Sequence, residues 1–157
     1  MKIKTPLVSV IIANWNGGDV FKNCLASLSK IDYPNWELIV VDNGSTDGSE
    51  NVAANYQLIK NKNLPSAEPC SLVILKNKTN LGFAKANNQG YEKAWGKYIL
   101  LLNNDTKVER DFLLKLVERM ERDPSIGVIQ PKIYLMDKPG FLDNVGTYLT
   151  WTGFLEN

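Results

Sequence analysis

The chain of 157 residues contains no histidine. That absence removes the commonest general base, the commonest transition-metal ligand and any Ser-His or Cys-His nucleophile pair. Chemistry here falls to carboxylates, amides, backbone groups and a hard cation. Cysteine is scarce: Cys24 and Cys70 stand far apart and follow no metal-ligand spacing, so they read as free thiols of a reduced, intracellular protein. An excess of either charge is also lacking. Eighteen Lys and Arg face seventeen Asp and Glu, for a net charge of +1, and no basic stripe argues for nucleic acid. No apolar run approaches the roughly 18 residues of a membrane span. The start, Met1-Lys2-Ile3-Lys4-Thr5-Pro6, lacks the apolar core and cleavage site of a signal peptide. No Gly-x-Gly-x-x-Gly follows the first apolar run, which excludes an NAD-type dehydrogenase.

What is present is a repeated pattern. Leu7 to Ala13 runs into Asn14-Trp15-Asn16, and Glu37 to Val41 runs into Asp42-Asn43-Gly44-Ser45-Thr46-Asp47. Ser71 to Leu75 leads towards Asn80-Leu81-Gly82, and Tyr98 to Leu102 ends in Asn103-Asn104-Asp105. Short apolar, β-branched runs without polar alternation suit strands buried on both faces of a parallel sheet. Ligands of such sheets sit outside the carboxyl ends of the strands. The four polar clusters are therefore expected to share one edge and form a site.

Between the strands, Val20, Phe21, Cys24, Leu25 and Leu28 fall on one helical face, with Asp19 as the expected N-cap. Asp47-Gly48-Ser49-Glu50 has capping-box spacing and opens a helix towards Ile59. Residues 60–70 read as an exposed connection. Phe83, Ala86, Tyr91, Ala94 and Trp95 give the face of a helix after Gly82, and Thr106 to Glu109 forms a further capping box for a helix ending near Pro124. A fifth strand is expected from Ile126 to about Leu135, bent or at an edge because of Pro131. The βα alternation predicts an α/β fold, a doubly wound, mostly parallel sheet flanked by helices, with right-handed crossovers. Residues 1–135 would form this domain. Residues 136–157, ending among aromatics and strand formers that favour burial, would begin a further region of a larger protein.

Each cluster has a plain reading and a functional one. The segment 42–47 consists of turn formers and serves equally as a tight turn plus a cap. Functionally, Asp42 would accept from a nucleobase ring N–H beside the turn's amides, with Gly44 letting the chain bend close to a ligand. Asn103, Asn104 and Asp105 could simply connect to the next cap. Two amides and a carboxylate at a strand end also suit a hydrated Mg²⁺ or Mn²⁺ on a diphosphate. Asn87, Asn88 and Gly90 lie mid-helix, where Gly alone costs about 1 kcal/mol relative to Ala; a helix tolerating them uses the amides and a close approach. Trp15 either packs at the rim or stacks on a base or ribose. Trp36, Trp95 and Trp151 are expected to pack.

In their order and spacing these motifs resemble the family 2 glycosyltransferases of the GT-A fold, most closely the rhamnosyltransferase-like branch of bacterial surface-polysaccharide synthesis. The resemblance covers roughly residues 6–150. It implies a Rossmann-like nucleotide-binding half and inverting transfer of a sugar, rhamnose by the branch resemblance, from a dTDP-, UDP- or GDP-sugar to a glycan or lipid-linked glycan. Carried over by motif, Asn14, Trp15, Asn16 and Asp42 would line the base and ribose pocket, and Asn43 would belong to the donor-binding set. Asn80, Gly82, Lys85 and Asn88 would border the donor sugar and diphosphate. Asn103 and Asn104 would complete the donor side, and Asp105 matches the metal-binding Asp for Mn²⁺ or Mg²⁺. The first acidic position of that metal motif is Asn103 here, which leaves Asp105 as the main protein ligand. Asn87 stands where many relatives carry Arg, with Lys85 as the substitute cation. The family's catalytic base lies in an acidic motif beyond residue 157, so this chain is expected to bind donor and to transfer sugar poorly or not at all. The setting implied is cytoplasmic, with any contact to the cytosolic face of the inner membrane made through further chain.

Two other classes fit the same fold. A regulatory nucleotide-binding module would bind without needing a divalent metal. A sugar nucleotidyltransferase would carry a Gly-rich loop with Arg and Lys after the first strand, and residues 14–19 contain no basic residue.

Overall fold

Two strands carry the core because their residues are apolar on both faces. In the computed structural model, which describes residues 5–53, 72–138, 140–144, 148–149 and 155–156, β1 (Val8–Asn14) and β2 (Trp36–Asp42) are buried almost throughout. They pair in parallel with Val8 opposite Trp36 and Asn14 opposite Asp42. The strands β3 (Leu72–Lys76) and β4 (Tyr98–Leu101) flank them, each parallel to its neighbour, giving the order β3-β2-β1-β4. Successive strands step outward from β1 to β3, and the chain then returns to the other side of β1 for β4. The strand order thus reverses between β1 and β4, where open α/β sheets bind ligands.

Register brings the polar ends level. Ile11 pairs with Leu101, and the Leu102 amide still donates to the Ile11 carbonyl at 3.0 Å. Three residues further along both chains come Asn14 and Asn104.

Helix α1 (Gly18–Leu28) buries Phe21, Cys24, Leu25 and Leu28, the spacing of one apolar stripe, while Val20 faces outward. Helix α2 (Phe83–Tyr91) differs from its expected face. It buries Ala86, Asn87 and Gly90, leaving Phe83 and Tyr91 exposed. A Cβ on Gly90 would lie 2.5 Å from Ile11 Cγ2 and 3.4 Å from Val41 Cγ2. The helix therefore rests on the sheet through small residues at a distance that aromatic rings would not fit. Trp95 is 84% exposed and does not pack, whereas Trp36 is buried as expected. Trp151 and residues 60–70 lie outside the described residues, as does the second helix beyond residues 50–53.

At the opposite edge from the polar clusters, the buried Glu37 accepts from Ser9 Oγ at 2.5 Å and from the Trp95 amide at 2.7 Å. Ser9 Oγ in turn accepts from the Gly96 amide at 2.8 Å. This network ties the turn before β4 to the first two strands.

The chain divides into two units, 1–113 and 114–157, a boundary upstream of the residue-135 limit read from the sequence. Helix α3 (Phe112–Arg122) begins later than the expected Thr106 cap. Thr106 instead turns its hydroxyl onto the Asn103 carbonyl at 2.7 Å. The fifth strand does not extend the parallel sheet. Residues 126–132 are not strand, Val128 is exposed, and only β5 (Ile133–Tyr134) pairs, antiparallel, with β6 (Leu142–Asn144). Pro131 has no N–H for a ladder and interrupts the run. A short antiparallel pair, β7 (Tyr148–Leu149) with β8 (Leu155–Glu156), completes the second unit. Among the described residues, no helix is long and apolar enough to cross a membrane.

Candidate functional site

Three loops leave the C-terminal edge of β1, β2 and β4, and side-chain amides sew them together. Asn14, fully buried, is the central stitch. Its Nδ2 lies 3.2 Å from Asp42 Oδ1, 3.2 Å from Ser45 Oγ and 2.9 Å from Ser49 Oγ. Its Oδ1 accepts from Asn104 Nδ2 at 3.0 Å. Asp42 is buried too; its Oδ2 accepts from the Ser45 amide at 3.2 Å. Each carboxylate oxygen retains a second lone pair.

The loop after β2 also caps the helix after β1. Asp47 Oδ2 accepts from the Gly18 amide at 2.9 Å, supplying from a distance the cap expected of Asp19, which makes no capping bond. Asp47 Oδ1 accepts from the hydroxyl and the amide of Ser49 at 2.6 and 3.0 Å. Those Ser49 bonds, with the Gly18 amide adding to them, hold its carboxyl below the ordinary value of 3.8. Asn16, at a positive φ of 49°, accepts from the Thr46 amide at 2.8 Å while its own amide donates to Ser45 Oγ at 3.0 Å. A short amide side chain tolerates this left-handed backbone.

Asn43 clamps the third loop. Its Oδ1 accepts from the Leu81 amide at 2.9 Å and Asn77 Nδ2 at 3.1 Å, and its Nδ2 donates to Asn80 Oδ1 at 2.8 Å. Asn80 Oδ1 also accepts from the Gly82 amide at 2.8 Å. Asn77 and Gln89 exchange reciprocal amide bonds of 2.8 and 3.1 Å, fastening this loop to α2. Gly44, at φ +80°, lies where a Cβ would be 2.8 Å from the Thr79 backbone. Asn87 is turned inward, its Nδ2 on the Phe83 carbonyl at 2.9 Å.

The sequence candidates thus separate. Asn14, Asp42, Asn43, Asn80, Gly82 and Asn104 are joined by hydrogen bonds. Trp15, 54% exposed, and Asn16 stand on the β1 loop, while Lys85 and Asn88 project from α2. Asn103 and Asp105 are exposed on the β4 loop, and among the described residues the Asp105 carboxylate makes no hydrogen bond or ion pair. Ser45, Ser49, Asn77 and Gln89 escaped sequence reasoning, because their partners are 12 to 35 residues away. Gly17 escaped it too, because Asp19 is the expected cap and the missing capping side chain shows only in the folded helix.

The sequence profile of Glycosyl transferase family 2 matches residues 9–149. The chain belongs to that family. TuaG of Bacillus subtilis (strain 168), which bears the name of a teichuronic acid biosynthesis glycosyltransferase, is 36% identical over 115 residues, 73% of this chain and 42% of TuaG. A poly-beta-1,6-N-acetyl-D-glucosamine synthase of Staphylococcus epidermidis is 25% identical over 140 residues, 89% of this chain and 32% of that protein. This family 2 chain therefore spans less than half the length of these curated relatives. Among solved structures, the mannosyltransferase PcManGT from Pyrobaculum calidifontis, in complex with GDP-Man and Mn²⁺, superposes with a TM-score of 0.70 at 25% identity over 79% of this chain and 34% of its own. S. aureus TarS in complex with UDP-GlcNAc gives 0.63 at 23% identity, over 83% and 41%. Both likenesses place the sheet and its helices in the GT-A glycosyltransferase fold.

The polar edge also suits one particular kind of metal binding. Among the described residues no group of three or more His, Cys, Asp and Glu could cage an ion. A hard divalent ion held with substrate phosphates needs only one or two protein carboxylates. The exposed Asp105 fits that need.

Proposed function

We propose that this chain is the donor-binding part of an inverting glycosyltransferase that moves a sugar from a nucleoside diphosphate to a glycan or lipid-linked glycan in surface-polysaccharide synthesis. The observation that carries this reading is the convergence of the 14–16, 42–49 and 103–105 loops on one sheet edge, with Asp105 left uncommitted. Asp42 and the amides of the 42–46 turn bind the base and ribose side, and Trp15 supplies an exposed ring for stacking. Asn80 and Gly82, fixed by Asn43, hold the wall beside the sugar and diphosphate, with Lys85 and Asn88 facing it. Asp105 would hold Mn²⁺ or Mg²⁺, which would supply Lewis-acid neutralisation of the departing diphosphate. The acceptor hydroxyl needs a carboxylate to take its proton, and we place that group beyond these 157 residues. Rhamnose from a dTDP donor is the sugar we propose, on the rhamnosyltransferase-like motifs; lipid-linked acceptors would bring the protein to the cytosolic face of the membrane.

Calorimetric titration with dTDP, UDP and GDP, in Mn²⁺, Mg²⁺ or EDTA, tests the reading. We expect one nucleotide to bind with a metal-dependent gain that Asp105→Ala abolishes while the fold is retained. Tight binding indifferent to metal would return the protein to the regulatory-module class. Sugar transfer to an acceptor by residues 1–157 alone would refute the placement of the base.

A further inference from the structure

Asn14 sits where the strand order reverses, and its two ends serve different loops. Asp42 can only accept, so Nδ2 must face the 42–49 loop, where Asp42, Ser45 and Ser49 receive it. Oδ1 is then directed at Asn104, which must donate. Among the described residues no other side-chain hydrogen bond joins 42–49 to 103–105, directly or through a single residue. Within that set Asn104 is also the one side chain of 103–105 with a hydrogen bond to another described residue. The pair has no slack: a Cβ at Gly17 would fall 2.3 Å from Asn14 Oδ1 and 2.7 Å from Asn104 Nδ2. Below it, the Asn103 carbonyl accepts from Thr106 Oγ1 at 2.7 Å and from Cys24 Sγ at 3.7 Å. The peptide leading into Asp105 is thus held from beneath by α1 and from the side by Asn14.

We propose that the Asn14–Asn104 bond is a positioning contact that couples the nucleotide loop to the loop bearing Asp105, so that nucleotide and divalent-ion affinities rise together through it. The inference rests on the donor-site reading above. Both ends of the Asn14 amide are taken up by protein partners, and Asn104 Nδ2 is taken up by Asn14. A nucleotide that orders 42–49 fixes Asn14, Asn14 fixes Asn104, and Asn104 narrows the positions open to Asp105. By linkage the ion must strengthen nucleotide binding through the same bond, by the same factor.

The test compares the full-length protein with Asn104→Ala, measuring nucleoside diphosphate Kd in EDTA and in Mn²⁺, and bound Mn²⁺ by electron paramagnetic resonance with and without nucleotide. Loss of one hydrogen bond is expected to shrink the ratio of the two nucleotide Kd values by about 3- to 10-fold, and the reciprocal Mn²⁺ ratio equally. A purely structural role would weaken binding by one factor in both media and leave the ratio unchanged, which overturns the proposal. Asn104→Ser, too short to reach Asn14, provides the second variant should alanine fail to fold. Asp105→Ala separates the two readings. A wild-type metal gain lost in Asp105→Ala but intact in Asn104→Ala refutes the coupling alone. A gain that survives in Asp105→Ala refutes the donor-site metal reading. Absence of any gain in wild type overturns both.

Discussion

Replacing Gly17 by alanine inserts one methyl group where three loops meet. The new Cβ would lie 2.3 Å from Asn14 Oδ1, 2.7 Å from Asn104 Nδ2 and 2.8 Å from Phe21 Cβ. Gly17 has an ordinary backbone, φ −79°, so the substitution strains packing and not torsions. Two responses are open to the fold. The amide pair can separate, leaving the buried Asn14 oxygen unsatisfied at about 1–3 kcal/mol. Alternatively, α1 can shift off the sheet, an overpacking cost of about 1–3 kcal/mol. Either response, or a mixture of the two, gives an expected loss of about 1–3 kcal/mol. At about 4 °C per kcal/mol for a domain of this size, the midpoint of thermal unfolding falls by roughly 4–12 °C. Denaturant titration should show a lower midpoint with an unchanged slope. Gly127→Ala is the control, since a Cβ there meets nothing within 4 Å; it should stay within about 0.5 kcal/mol. A Gly17→Ala protein melting within about 2 °C of wild type would refute the account of the amide pair as tightly seated.

Asn43→Ala should free the 77–82 loop by removing bonds to Leu81, Asn77 and Asn80, at about 2–4 kcal/mol; amide exchange at Leu81 should accelerate, and unchanged exchange would refute the clamp. Burial pushes the Cys24 thiol up from 9.0 to about 11, with Asp105 adding to the rise and the Thr106 hydroxyl opposing it. The folded state therefore disfavours the thiolate. Its contribution is intact below the unfolded value of 9.0 and is lost as pH climbs towards about 11, a fall of up to about 3 kcal/mol. Denaturation at about pH 8 and 10.5 should show this loss in wild type and a smaller one in Cys24→Ala; equal losses would contradict it.

Several features could be read directly from the chain because they are consequences of local chemistry. Val8 to Ile12 and Leu38 to Val41 cannot face water on either side, so they had to be central parallel strands. Asn and Asp at their ends had to emerge at one edge, since parallel strands share a direction. The stripe Phe21, Cys24, Leu25, Leu28 follows from helical period alone. Other features depended on what lies across space. Nothing near Phe83 or Tyr91 reveals that α2 rests on Ala86 and Gly90, because that choice is made by the Ile11 and Val41 methyls beneath it. The sequence 126–135 is apolar enough for a strand, yet Pro131 and the pairing open to Ile133 and Tyr134 gave a short antiparallel strand instead. In the site, composition identified the amides as unusual without saying what they do. Asn14 and Asn43 are identical in chemistry to Asn88 and Asn103. Only the register of β1 against β2 and β4, with Gly17 leaving no gap, turned the first two inward to join loops and left the others facing outward. Residue type was thus decided along the chain. Whether an amide joins loops or stays exposed was decided by neighbours 28 to 90 positions away.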